Sequence, residues 1–283
     1  MTSAGAVQQA AAFVAGRTGA RFRLVSEPGS AELRGTVIAA HAFAEEMNKT
    51  RRMAARLARG LAARGFRVVQ RDLAGCGDSS GELREVSWAD WREDVRAEFE
   101  AADPALPVWL FGVRAGALLA GAAFEQRPDA NLLLWQPVVA GAQHLQQFLR
   151  LHAGARIVGA SPSDAGATPA QRLKRGEVVE VGGYEMAPPL AAGLEAAVLD
   201  VPAGAPGRIV WCEVSADDPP SPSPAAVRFA ERVGARARPG VELHALHGPL
   251  FWQTQEIEDC DALLRCSMAS VAGEPPHAAG AHD

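Results

Sequence analysis

Short apolar runs alternate along this chain with longer segments in which apolar residues recur every three or four positions. The short runs predict buried strands, at residues 36–40, 66–72, 107–111, 132–135, 208–214 and 241–246. The longer segments predict helices, at residues 53–64, 88–95, 115–120, 225–233 and 256–268. Strands that alternate with helices indicate a parallel sheet covered on both faces, and ligands bind such sheets beyond the carboxyl ends of the strands.

Two regions depart from this alternation. Near the N-terminus, apolar pieces at 11–14 and 22–25 flank Gly16-Arg17-Thr18-Gly19, which predicts a hairpin. Between 137 and 206 the pattern predicts a helix, a loop rich in Ser, Pro, Gly and Ala, and a short strand, at residues 143–151, 160–170 and 178–181. We therefore expect a core of residues 1–136 and 207–271, an inserted cap of residues 137–206 and a flexible tail of residues 272–283.

Composition narrows the possible functions. The 28 Lys and Arg residues against 33 Asp and Glu give a net charge of −5, which offers no general basic surface for nucleic acid. The four cysteines form no CxxC pair, so we expect neither a metal site nor a disulfide framework, and no cofactor is predicted. No apolar run reaches 18 residues and no signal peptide is recognisable, so we expect a cytoplasmic protein without a transmembrane segment. The sequence leaves open whether the chain forms a homo-oligomer.

The strongest local signal lies at the end of the predicted strand 107–111. Phe111-Gly112-Val113-Arg114-Ala115-Gly116 has the G-x-X-x-G pattern between a strand and a helix that is typical of a nucleophile elbow, the sharp turn that presents a catalytic Ser or Cys. Here the central residue is Arg114. An arginine stays protonated and only donates hydrogen bonds, so it cannot make the nucleophilic attack.

A glycine-rich loop follows the predicted strand 66–72. Gly75, Gly77 and Gly81 are spaced differently from the glycines of dinucleotide-binding and S-adenosylmethionine loops, which disfavours a methyltransferase. A strand that ends in Asp72 and leads into this loop, two elements before an elbow, is similar to the α/β-hydrolase fold. In that fold the loop beginning at His41 provides one main-chain N–H of the oxyanion hole and the residue after the elbow provides the other.

At this point the resemblance becomes specific. Six runs carry it: FAEEMNK (43–49), RRM (51–53), GCGDSSG (75–81), WQPVV (135–139), GYE (183–185) and FWQTQEI (251–257). With these runs, the chain resembles the exosortase A system-associated hydrolase of the second type over about residues 20–260. The resemblance implies an α/β-hydrolase fold, with a mostly parallel central sheet flanked by helices and an inserted cap. It also implies a link to bacterial exopolysaccharide and exosortase protein-sorting systems.

The resemblance also assigns roles to residues of this chain. The elbow position falls on Arg114, the acid on Asp217 or Asp218, and the histidine near His247. The oxyanion or anion-binding groups fall on the main chain of three residues, Ala42, Phe43 and Ala115. The expected supporting residues are His41, Glu45 and Glu46.

The sequence allows two interpretations of the role of Arg114. As an anion anchor at a helix N-terminus, it would hold a carboxylate or phosphate. As a buried partner of Glu45 or Glu46, it would only fill a vacated site. The same contrast separates two functions. The first is a hydrolase of ester- or thioester-like bonds that uses water or a relocated nucleophile, with Cys76, Ser79 and Ser80 as candidates. The alternative is a non-catalytic protein that binds a small acyl or anionic ligand or a partner protein.

Overall fold

The computed structural model describes residues 6–30, 32–155, 167–235 and 240–274. Among these residues the strands are β1 (Val7–Ala15), β2 (Ala20–Pro28), β3 (Gly35–Ala40), β4 (Phe66–Arg71), β5 (Val108–Val113), β6 (Asn131–Trp135), β7 (Val179–Val181), β8 (Tyr184–Met186), β9 (Ile209–Ser215) and β10 (Val241–His247). The helices are α1 (Glu45–Ala62), α2 (Trp88–Glu100), α3 (Gly116–Phe124), α4 (Gly141–Ala155), α5 (Pro169–Lys174), α6 (Pro188–Ala196), α7 (Pro224–Gly234) and α8 (Asp261–Ala272).

Eight of the strands form one sheet in the order β1-β2-β4-β3-β5-β6-β9-β10. In this spatial order, each strand from β4 to β10 is parallel to the next. The strands β1 and β2 pair antiparallel at one edge of the sheet. The mostly parallel sheet predicted from the sequence is therefore confirmed. The predicted hairpin is also present, and its strands extend several residues beyond the apolar pieces.

Apolar side chains cover both faces of the sheet. Helices α1 and α8 contribute Leu57 and Leu263 to the core on one face. Helices α2, α3 and α7 contribute to the core on the other face, for example through Trp91 and Phe229. This two-layer burial explains why the central strands read as continuous apolar runs. Among the described residues, no helix combines the length and apolarity that a membrane span requires.

Two helices, α1 and α8, begin five or more residues from their predicted starts. Helix α1 begins at Glu45 rather than at residue 53, with Glu45 and Glu46 in its first turn, where carboxylates interact favourably with the helix dipole. The apolar period becomes visible only later, because the first turn is polar at three of its first four positions. Helix α8 begins at Asp261 rather than at residue 256, since residues 251–260 form turns, bends and irregular chain.

The predicted cap contains α4, α5, the β7–β8 hairpin and α6. Helix α6 packs closely on the core, because a Cβ at Gly193 would lie 2.1 Å from the Cβ of Trp88. Most of the expected loop 160–170 lies outside the described residues. So do residues 275–283 of the expected tail, whereas Ala272 ends α8 and Glu274 accepts hydrogen bonds from Arg64. Those first residues of the expected tail are therefore bound to the core.

Candidate functional site between core and cap

The chain bends sharply between β5 and α3. Arg114 has a φ of 52°, which is unusual for a residue with a side chain. Its main-chain N–H donates to the Trp135 carbonyl at 3.0 Å, and its carbonyl accepts from Ala117 and Val138 at 3.1 Å. The neighbouring strand and the start of α3 thus hold Arg114 in the conformation that an elbow requires.

Two glycines allow the strand and helix to meet at this bend. A Cβ at Gly112 would lie 2.5 Å from the Cα of Ala117, and one at Gly116 would lie 2.1 Å from the Ala40 carbonyl oxygen. Real Cβ atoms do not approach backbone atoms this closely. The G-x-X-x-G pattern therefore reflects close backbone packing around Arg114.

The Arg114 side chain is held on three sides. Its Nε and Nη2 donate to Glu46 Oε1 at 3.0 and 2.9 Å, and its Nη1 donates to the Gln136 carbonyl at 3.0 Å. The guanidinium also lies 5.5 Å from the ring centre of Trp252, within the range of a cation–π interaction. The side chains of Arg114 and Glu46 are only 15% and 21% exposed. Of the two alternatives left open by the sequence, the geometry is that of the buried pair, with Glu46 as the partner.

Glu45 has different partners. Its Oε2 accepts hydrogen bonds from the Tyr184 hydroxyl at 3.1 Å and from Asn48 Nδ2 at 3.3 Å. Burial, together with the hydrogen bond to Glu45, raises the pKa of Tyr184 to about 12. Glu45 thus links α1 to β8.

Three residues were expected to form an oxyanion hole, Ala42, Phe43 and Ala115. All three are buried. Within the described ranges, the main-chain N–H groups of Phe43 and Ala115 donate to no protein atom. Two buried donors without a partner fit the expected role, which stays a prediction.

His41 connects two loops. Its Nδ1 lies 2.7 Å from the Ala42 carbonyl, and its Nε2 accepts from the Leu73 main-chain N–H at 3.2 Å. The proton is therefore on Nδ1. Burial lowers the pKa of His41. These contacts give His41 a structural role at the end of β3.

The expected acid and histidine lie at the ends of β9 and β10. His247, Asp217 and Asp218 are all exposed. His247 Nδ1 lies 3.2 Å from the Asp217 main-chain carbonyl, while the Asp217 carboxylate accepts from the Ser215 hydroxyl at 3.1 Å. The structure thus brings His247 and Asp217 together through the main chain and not through the carboxylate. In the described part of the chain, no hydrogen bond or ion pair joins them to Arg114.

The alternative nucleophiles of the glycine-rich loop have structural partners. Ser79 Oγ donates to the Asp72 carbonyl at 2.5 Å and accepts from the Phe22 N–H at 3.0 Å. Ser80 Oγ accepts from the Ala20 N–H at 3.1 Å. Burial raises the pKa of the Cys76 thiol to about 12, which disfavours the reactive thiolate. These hydroxyls attach the N-terminal hairpin to the loop.

A cleft of about 540 Å³ lies between α1, α4 and the β7–β8 hairpin, next to the Arg114–Glu46 pair. We refer to it as the cleft; its walls include Phe43, Glu46, His144, Phe148, Tyr184 and Trp252. Neither His247 nor the two expected acids line it. Its volume is in the range that binds small molecules.

His144 is a residue of the cleft that the sequence analysis missed. It is 7% exposed, and neither ring nitrogen has a partner in the described structure. Burial lowers its pKa, so the ring is uncharged near pH 7. Its position four residues before Phe148 on α4 places both side chains on one helix face, but only the fold shows that this face borders the cleft.

Part of the chain matches a known protein family. The family described as serine aminopeptidase, S33, matches residues 31–165, somewhat less than half of the chain. The search of curated proteins finds no match.

Similar solved structures cover nearly the whole chain. Est1E from Butyrivibrio proteoclasticus with bound ferulic acid has a TM-score of 0.65 at 13% identity, covering 93% of this chain and 98% of its own. A soluble variant of monoglyceride lipase from Saccharomyces cerevisiae has a TM-score of 0.59 at 13% identity, covering 93% of each chain. XC6422 from Xanthomonas campestris, described as an α/β serine hydrolase without a lid, has a TM-score of 0.53 at 17% identity, covering 95% of this chain and 97% of its own. Together with the sheet order and the bend at Arg114, these likenesses show that the chain has the α/β-hydrolase fold.

Proposed function

We propose that this chain is a non-catalytic protein of the α/β-hydrolase fold that binds a small ligand in the cleft. The observation that carries the proposal is the Arg114–Glu46 ion pair at the elbow. Covalent catalysis in this fold needs an oxygen or sulfur nucleophile at that position, next to a base. Here the position holds a side chain that can neither attack nor release its proton.

The surroundings of the elbow support the same conclusion. Ser79 and Ser80 are engaged by main-chain groups of the hairpin, and the Cys76 thiol is strongly disfavoured as a thiolate. The open cleft next to the elbow keeps a binding site for a ligand, although the catalytic group is absent.

The experiment that tests this proposal combines turnover and binding. Purified protein is assayed with p-nitrophenyl butyrate and with octanoyl-coenzyme A, and treated with a fluorophosphonate probe. We expect no turnover above buffer and no covalent label. Turnover that is lost in the His247→Ala or the His144→Phe variant would overturn the proposal.

A second candidate function is hydrolysis of an ester- or thioester-like bond by direct attack of water. The free N–H groups of Phe43 and Ala115 favour it, because such donors stabilise the charge that develops on a carbonyl oxygen. In that case His247, with Asp217 or Asp218, is the proposed base, and Arg114 is part of the electrostatic surroundings. Loss of turnover in His247→Ala with unchanged stability would support this candidate.

The proposed setting is a cytoplasmic role in an exosortase A or exopolysaccharide pathway. It rests on the resemblance carried by residues 43–49 and 251–257. Deleting the gene and measuring secreted exopolysaccharide and sorted surface proteins tests this setting, with complementation by the wild-type gene as the control. Unchanged amounts of both would contradict it.

A further inference from the structure

Three residues that line the cleft carry buried polar atoms without a partner among the described residues. The first is His144, whose ring nitrogens are both unpartnered although the residue is 93% buried. The second is Glu46, whose Oε2 has no partner because both hydrogen bonds from Arg114 go to Oε1, and the third is Trp252, whose indole N–H has no acceptor. Buried polar groups are nearly always hydrogen-bonded in folded proteins, so three such residues around one cleft support a ligand that satisfies them.

The charged groups of the cleft are already compensated. Arg114 pairs with Glu46, and the Lys49 ammonium donates to the Thr254 carbonyl at 2.7 Å. Glu45 accepts from Tyr184 and from Asn48. Among the described residues at the cleft and beside it, the charges of Arg114 and Lys49 balance those of Glu45 and Glu46, so there is no excess positive charge, which argues against an anionic ligand.

The unpartnered groups favour hydroxyls. Glu46 Oε2 only accepts hydrogen bonds, whereas an uncharged His144 donates from one nitrogen and accepts at the other. A carboxylate ligand cannot donate to Glu46, and an ammonium group cannot accept from His144. A hydroxyl does both and also accepts from the Trp252 indole N–H, so neighbouring hydroxyls can satisfy all three groups.

The remaining walls are largely aromatic. The rings of Phe43 and Phe148 meet edge to face with their centres 4.8 Å apart, and Trp252 and Tyr184 complete the lining. Such walls pack well against an apolar surface. We propose that the cleft takes an uncharged ligand with neighbouring hydroxyl groups joined to an apolar group, as in a sugar or polyol carrying an alkyl chain. This inference rests on the proposed function and assigns its ligand class.

Three probes with chains of eight carbon atoms test the assignment. Octyl β-D-glucoside, octanoate and octylamine are titrated separately into the protein at pH 7.5, below the micelle concentration of the glucoside, and binding is followed by calorimetry. We expect the glucoside to bind at least tenfold more tightly than either charged probe. The His144→Phe variant should lose at least tenfold in glucoside affinity. His244→Phe, a histidine of β10 outside the cleft, should retain wild-type affinity.

A charge variant gives the complementary result. Glu46→Gln leaves Arg114 without a carboxylate partner, so we expect octanoate affinity to rise and glucoside affinity to fall. Thermal unfolding of each variant identifies a loss caused by misfolding. Tightest binding of octanoate or octylamine by the wild type, or unchanged glucoside binding in His144→Phe, would overturn the ligand class while leaving ligand binding in place. Absence of binding by all three probes would overturn both proposals, whereas turnover of p-nitrophenyl octanoate would overturn only the non-catalytic function.

Discussion

Arg114 donates two hydrogen bonds to one and the same oxygen of Glu46, 68 positions earlier in the chain. The arrangement neutralises the cation at the elbow and leaves the second carboxylate oxygen of Glu46, a residue of the cleft wall, without a hydrogen-bond partner in the described part of the chain. The ion pair thus occupies the position of the nucleophile at the elbow. It also leaves Glu46 Oε2 available to accept a hydrogen bond from a ligand.

Removing either partner of this pair should destabilise the fold. Arg114→Ala leaves a largely buried carboxylate without its cation, and we expect a loss of roughly 2 kcal/mol in the free energy of unfolding. Glu46→Gln should cost a similar amount. Urea unfolding of both single variants and of the double variant measures the coupling. Additive effects would show that the pair contributes no specific interaction.

The backbone at Arg114 allows a second test of stability. Because φ is 52°, a residue with a Cβ is strained there, whereas glycine is not. We expect Arg114→Gly to be more stable than Arg114→Ala by about 1 kcal/mol. Both variants lack the guanidinium, so the comparison isolates the backbone term. Equal stability would mean that the bend relaxes when the side chain is removed.

The close packing at the elbow makes Gly116 sensitive to one added methyl group. Its Cβ would lie 2.1 Å from a main-chain oxygen, so Gly116→Ala should destabilise by about 3 kcal/mol. Gly234 at the end of α7 is a matched control, because a Cβ there meets nothing within 4 Å. Gly234→Ala should be neutral or stabilising by up to about 1 kcal/mol. Thermal unfolding distinguishes the two, and similar losses would contradict the packing argument.

Cys266 on α8 should react faster than the other cysteines near neutral pH. A hydrogen bond with Cys212, and after it the neighbouring His244, lowers the pKa of the Cys266 thiol to about 5. The pKa values of Cys76, Cys212 and Cys260 are raised. Because the thiolate is the reactive form, iodoacetamide at pH 6.5 should label Cys266 first, at a rate that changes little up to pH 8. Mass spectrometry locates the label, and Cys266→Ser is the control. A rate that rises about tenfold per pH unit would refute the lowered pKa.

Stability should fall as the pH is lowered from 7.5 to 5.5. Burial lowers the pKa values of His41 and His144 below the ordinary value of 6.5, so in this range the unfolded chain binds protons that the folded chain does not. His144→Phe should therefore reduce the loss of stability over this interval. His244, whose pKa is raised, acts in the opposite direction and is unchanged in the comparison. An identical pH dependence of wild type and His144→Phe would contradict the assignment.

The sequence by itself predicts the features that depend on neighbouring residues. Short apolar runs locate the central strands, because each of these strands buries its residues between two layers of helices. The glycines around Arg114 indicate the bend, since close backbone contact excludes a Cβ at Gly112 and Gly116. The same patterns misplace the start of α1, where polar residues form the first turn.

Only the tertiary structure decides the partners of long side chains. Glu45 and Glu46 are adjacent in sequence and chemically alike, yet one turns to Tyr184 of the cap and the other to Arg114 of the core. His144 becomes a candidate functional residue only because the fold places α4 along the cleft. His247 contacts the main-chain carbonyl of Asp217 instead of its carboxylate. Local patterns record which backbone conformations and burial a residue tolerates. Hydrogen bonds between distant side chains depend on a few ångströms of packing that no local pattern contains.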